Sequence, residues 1–153
     1  MTDLTIGQAQ RMTAPAPFAL LTSADKEGKT NIMAVSWWTY LSNHPVKIGA
    51  CLSNKGYSGG NIPEGGEFAI CVVDEQLRDS ALQCGRCSGR STDKASELGI
   101  ELADAKAISP KVVAASKVVF ECKLSDVLEV GDHTFFAADV VAVYGDDSKK
   151  QLF

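Results

Sequence analysis

The sequence predicts a mainly β domain with a few short helices, built as a closed or split antiparallel barrel. Three observations lead there. Short apolar runs recur along the chain, each ended by Gly, Pro, Asn or Asp, as strands bounded by turns are. Val118, Phe120, Cys122 and Leu124 alternate with polar neighbours, which is the period of a half-buried strand. Strand-like runs do not alternate with long helical patterns, so a doubly wound parallel sheet is not expected.

Phe18 to Ser23 is the first apolar run. Asp25-Lys26-Glu27-Gly28 ends it, and Asn31 to Thr39 follows at hairpin distance. Val46, Ile48, Ala50 and Leu52 share one face of the next run. Phe68 to Val73 is continuously apolar, consistent with a strand buried on both faces. A helix is expected from Asp74 to Cys84. Asp74 suits the N-cap, Glu75 the first turn, and Leu77 and Ala81 stand four apart. Gly85 suits the C′ position. A shorter helix is expected from Thr92 to Leu98, stopped by Gly99. Residues 100–116 read mostly as loop with a short strand. Val118 to Ser125 and Thr134 to Tyr144, turned at Gly131-Asp132, make a long antiparallel hairpin.

Composition narrows the function classes. The chain has 153 residues, 45% apolar and 22% charged, with a formal net charge of −4. One globular domain is expected. The acidic balance lacks the basic footprint of a nucleic-acid binder. The longest apolar stretches fall far short of the roughly 20 residues that span a bilayer. Met1 to Arg11 is polar, without a signal-peptide core. A cytoplasmic protein is expected, so its five cysteines read as thiols.

Four segments can carry chemistry. In Asn31-Ile32-Met33-Ala34-Val35-Ser36-Trp37-Trp38, adjacent tryptophans cannot both point into one core. Either one covers a planar ligand, or one packs inside and the other in an interface. Ser53-Asn54-Lys55-Gly56-Tyr57-Ser58 follows a strand directly. Its hydroxyls, ammonium and glycine suit a phosphate, or else form a solvated turn. Cys84-Gly85-Arg86-Cys87 reads as a redox pair, half a metal site or a non-catalytic loop. No second CxxC accompanies it, and no metal site is expected. Ser88-Gly89-Arg90 after it reads as an anion-contacting turn. His133, beside Gly131-Asp132, either donates a hydrogen bond or proton to a ligand or is a plain turn residue. No GxGxxG occurs, so a dinucleotide-fold reading has no motif, and no Ser–His–Asp order stands out for a hydrolase.

Taken in order, these segments resemble the flavin reductase-like FMN-binding family, most closely its flavoredoxin branch. Pro17 through Leu21, Asn31…Ser36-Trp37, Lys55-Gly56-Tyr57-Ser58, Asn61-Ile62, Gly66-Glu67-Phe68 and Ser88-Gly89-Arg90-x-x-Asp93-Lys94 each match one of its motifs. Glu121-Cys122 and Gly131-Asp132-His133 match its closing hairpin. The match covers about residues 15–145, leaving 1–14 as an N-terminal extension and 146–153 as a C-terminal tail.

The resemblance implies a Greek-key split β-barrel, a homodimer and FMN near the subunit interface. It places Asn31, Ala34, Val35, Ser36 and Trp37 along the flavin and its ribityl chain. Ser53, Lys55, Tyr57 and Ser58 would hold the phosphate. Ser88, Gly89 and Lys94 would approach from the signature loop, and His133 would be catalytic beside the ring or reductant. Lys55 and Ser58 stand where Arg and Thr are commoner, replacing a bidentate clamp by a point charge. The implied function is electron transfer, as an NAD(P)H:flavin reductase or a flavoredoxin-like carrier with a redox protein partner. The alternatives are a flavin storage module and a thiol redox protein using Cys84 and Cys87.

Overall fold

The structure is a computed structural model that describes residues 18–153. Pro17, the expected N-terminal extension and the polar Met1–Arg11 stretch lie outside the described residues.

The main sheet contains β1 (Ala19–Ala24), β2 (Thr30–Val35), β3 (Trp38–Asn43), β4 (Val46–Ser53), β5 (Glu67–Val73), β8 (Ser116–Val130) and β9 (His133–Gly145). Its order is β2-β1-β5-β8-β9-β4-β3, antiparallel throughout. The two-residue strands β6 (Leu102–Ala103) and β7 (Val112–Val113) pair separately. Helices α1 (Ser58–Gly65), α2 (Arg78–Cys84) and α3 (Lys94–Glu97) are short.

Strands β2 and β3 lie at opposite edges of this sheet, yet only Ser36 and Trp37 separate them in the chain. From Val35 to Trp38 the Cα trace can span at most about 11 Å. The sheet must therefore roll until its edges nearly meet, which makes a barrel with a seam that no backbone ladder among the described residues closes. The expected single run from Asn31 to Thr39 is thus two strands. The seam bends the chain at Ser36 and Trp37.

The rolled sheet has two cores. Leu21, Ile48, Phe68, Ile70 and Phe136 fill the inside. Leu20, Ile32, Ala69 and Cys71 point outward, under Ala81, Cys84, Ile100 and Val112. Strands β1 and β5 are apolar on both faces for this reason. The outer cover includes irregular chain from Asp104 to Lys111, held by side chains of three strands. Glu121, fully buried, accepts hydrogen bonds from the Lys106 and Ala107 amides at 2.7 and 2.6 Å and from the Tyr144 hydroxyl at 2.6 Å. Glu67 accepts from the Ser109 amide and Thr30 from the Lys111 amide. Burial, and then the Glu121 hydrogen bond, push the Tyr144 phenol well above its ordinary pKa.

The helices differ in detail from expectation. Asp74 caps as expected, accepting from the Gln76 amide, but Glu75–Leu77 is a 3-10 turn that precedes α2. Gly85 stays right-handed at φ −76°, so it is not a left-handed C′ residue. Asp93 caps α3, which is shorter than Thr92 to Leu98, and Gly99 ends it at φ +64°. Helix α1 was not expected, because Gly59, Gly60 and Pro63 are poor helix formers. Ile62, fully buried in the barrel core, anchors it.

Candidate functional site

Three segments converge on the outer side of β2. They are β2 itself, the loop from Lys55 into α1, and the stretch from the end of α2 to α3. Between them lies a cavity of about 310 Å³. Asn31 Nδ2 donates to Ser58 Oγ at 2.8 Å, tying β2 to the first residue of α1. Gly89 is pressed against both: a Cβ there would run into the Asn31 side chain and the Tyr57 ring. Only glycine lets the Ser88–Arg90 turn lie this close.

Lys94 lies under this turn, only 5% exposed. Its Nζ donates to the Cys84 carbonyl at 2.9 Å. Burial lowers its pKa from the ordinary lysine value, while the Cys87 and Cys84 thiols act the other way. Among the described residues no aspartate or glutamate lines this cavity, while Asp25 and Asp93 line the adjoining hollow that Lys94 also borders. A buried ammonium needs a counter-charge, so the cavity favours an anion. Lys55 adds a second, exposed ammonium. Arg90 Nη1 donates to the Lys55 carbonyl at 3.0 Å, with its guanidinium 5.9 Å from the centre of the Tyr57 ring. It clasps the two loops together.

A second group lies where β4 meets β9. Ser53 is the register partner of His133. The His133 ring stands 4.8 Å from the Trp37 ring, and its Nδ1 is 2.7 Å from Asp132 Oδ1. Hydrogen bonding to His133 holds the Asp132 carboxyl below its ordinary range. Trp37 is 46% exposed, whereas Trp38 packs against the inner core. The tryptophan pair therefore divides between a ligand-facing or interface role and a core role.

Asn31, Ala34, Lys55 and Tyr57 thus share one cavity with Ser58, Ser88, Gly89 and Lys94. Val35 does not: its side chain is in the barrel core, leaving its backbone alone for a ligand. Ser36 is exposed in the link to β3. Ser53 borders a wider cleft of about 790 Å³ on the other side of the Lys55 loop. Sequence reasoning did not anticipate the Arg90 clasp, although Arg90 stands inside the signature. Nor did it place Cys84 and Cys87 beside the cavity.

A family model described as the flavin reductase like domain matches residues 11–153. The chain belongs to this family. An uncharacterised protein of Archaeoglobus fulgidus is 28% identical over 122 residues, 80% of this chain and 69% of that protein. A flavin reductase of Pseudomonas putida is 29% identical over 119 residues, 78% of this chain and 66% of that protein. The flavoredoxin of Desulfovibrio vulgaris (Miyazaki F) superposes with a TM-score of 0.82 at 27% identity, over 89% of this chain and 73% of that one. The fold is the flavin reductase split barrel. The chain spans about half to two thirds of the length of the curated relatives it matches. Among the described residues, no helix is long and apolar enough to cross a membrane.

The buried ammonium gives this flavin reductase-like domain a measurable asymmetry. A hydrogen bond to a charged group contributes about 1.5–3 kcal/mol, or roughly 10- to 150-fold in affinity. If the cavity takes a flavin phosphate, Lys94→Ala is expected to weaken FMN by that factor and to leave riboflavin, which lacks the phosphate, nearly unchanged. Lys55→Ala is expected to lose less, and its loss should shrink in high salt, because an exposed charge is screened. Titrating both flavins into each variant measures this. Equal weakening of FMN and riboflavin by Lys94→Ala would move the phosphate elsewhere.

Proposed function

We propose that this domain binds FMN in the Lys94 cavity and serves as a flavin-dependent oxidoreductase, taking reducing equivalents from NADH or NADPH. The carrying observation is the buried Lys94 ammonium in a cavity that, among the described residues, no carboxylate lines, beside Ser58 and the tightly seated Gly89. An ammonium, hydroxyls and a glycine-lined turn are the donor set a phosphate monoester requires. When bound, FMN supplies the hydride and single-electron chemistry, and the chain supplies binding and orientation. The likeness to a flavin reductase and a flavoredoxin supports the same reading.

The chain's residues then divide their tasks. Lys94, Lys55, Ser58 and Ser88 hold the phosphate, with Asn31 fixing Ser58. The backbone from Ala34 to Ser36 borders the flavin. Trp37 covers its approach, and His133, oriented through Nδ1 by Asp132, leaves Nε2 for a proton or hydrogen bond near the ring. The test is the absorption spectrum of the purified protein, followed by rapid mixing with NADH and with NADPH. A yellow protein that releases FMN and is reduced within the mixing experiment is expected. A yellow protein that neither nucleotide reduces would be a carrier or storage module; one that binds no flavin overturns the reading.

A second copy of the chain is the proposed partner. Tyr40 and Leu41 on β3 and Val127, Leu128 and Val130 on β8 are exposed apolar residues, and Trp37 is exposed with them. Large exposed apolar side chains in this number are what an association surface is built from. Flavin fluorescence and light scattering across a dilution series are expected to report dissociation and flavin release together. A monomer of full FMN affinity would sever the two.

A further inference from the structure

We propose that Cys84 and Cys87 are an oxidisable dithiol, a modification site for a low-molecular-weight disulfide, whose closure expels flavin from the adjoining cavity. The consequence for flavin rests on the reading of that cavity given above; the thiol chemistry does not.

Both cysteines are free thiols, and both residues border the cavity, Cys84 with its sulfur packed in the outer core. Cys84 is the last residue of α2, and its turn continues: the Gly85 amide donates to Leu82 O and the Arg86 amide to Gln83 O. Residues three apart on such a turn have Cβ atoms about 5–6 Å apart. A disulfide needs about 3.5–4.5 Å. Closure therefore asks for a small inward shift of Cys87, whose thiol now donates to the Gln83 carbonyl at 3.4 Å.

The two thiols have different parts. Cys87 is half-buried and accessible, while Cys84 is 1% exposed. Burial pushes the Cys84 thiol up to about 11, and Lys94 acts against that shift. Cys87, as thiolate, attacks one sulfur of the external disulfide. The S–S bond breaks, a Cys87 mixed disulfide forms and the first external thiol leaves with the proton Cys87 gave up. Cys84 then loses its proton and attacks the Cys87 sulfur, and the second external thiol leaves carrying that proton. Two protein thiols are oxidised, and one disulfide is reduced to two thiols.

The shift reaches the flavin site through the chain. Ser88 and Gly89 follow Cys87 directly, and Gly89 has no free space against Asn31 and Tyr57. Moving Cys87 drags this turn across the cavity. It also disturbs the Cys84 carbonyl that holds Lys94 Nζ. In the reduced form neither sulfur is needed for flavin chemistry. Coupling is reciprocal, so bound FMN should in turn oppose oxidation.

The test incubates the reduced full chain with oxidised glutathione, with and without FMN. Intact mass and peptide mapping read the sulfur chemistry, and FMN titration reads the cavity. An intact mass lower by two hydrogen atoms, mapped to Cys84–Cys87, is expected, with formation slowed by FMN. FMN should weaken at least about tenfold, a difference near 1.4 kcal/mol, and recover on reduction. Cys84→Ser should stop at a glutathione adduct on Cys87. Absence of the internal disulfide, or its presence with unchanged FMN affinity, overturns the proposal. A reduced chain that binds no FMN overturns the flavin reading instead, and the mass still decides the thiol pair.

Discussion

His133→Ala is expected to slow flavin reduction by about 10² to 10⁴, the usual range for a lost proton donor or hydrogen bond in the transition state. FMN affinity should change less than tenfold, since His133 is not among the residues around the Lys94 cavity. The motive is geometric. Asp132 fixes Nδ1 at 2.7 Å, and the ring lies 4.8 Å from Trp37. An imidazole oriented from both sides is costly to arrange for a turn residue alone. Asp132→Asn should lie between wild type and His133→Ala, because it keeps the ring but loosens its orientation. Single-turnover reduction at saturating FMN measures the effect. Unchanged kinetics would make His133 a plain turn residue, and a parallel loss of FMN affinity would make it a binding residue.

Glu121→Ala is expected to destabilise the fold by several kcal/mol, since each buried donor left without an acceptor costs about 1–3 kcal/mol. The Lys106 and Ala107 amides and the Tyr144 hydroxyl would all lose their acceptor. Against a typical total of about 5–15 kcal/mol, such a loss is severe. Denaturant unfolding reads it as a lower midpoint. Glu121→Gln should recover part, because its amide oxygen still accepts. Below the midpoint, FMN affinity of the variant should stay near wild type, since Glu121 lies away from the cavity. A loss under about 1 kcal/mol would mean that water replaces the carboxylate at little cost.

The hairpin of β8 and β9, the β1 and β5 strands and the Asp74 cap were legible because each has a local cause: a period of two, burial on both faces, a capping carboxylate. What was hidden depends on distance. Nothing local says that the Asn31 to Thr39 run must break at Ser36, because the break answers to two sheet edges that meet only after folding. Helix α1 was hidden by its own glycines and proline and is held by Ile62 in the barrel. At the site, the resemblance placed Asn31, Ser58, Gly89 and Lys94 in one region, and they do surround one cavity. It could not tell that Val35 gives its side chain to the core. Nor could it show that Lys94 is buried while Lys55 is exposed, which reverses the weight of the two cations.

The unladdered seam between β2 and β3 separates two rates that are otherwise coupled. Among the described residues no strand pairs with the outer edge of β2, and Asn31 and Ala34 of the cavity sit on that strand. Local opening costs least where few backbone bonds must break. Breathing of this edge can therefore admit and release a ligand while β5, β8 and β9 stay closed. Amide hydrogen exchange should then run faster in β2 than in β5, and ligand exchange should follow the β2 rate. Mutations that stiffen the interior would raise the unfolding barrier without slowing that traffic.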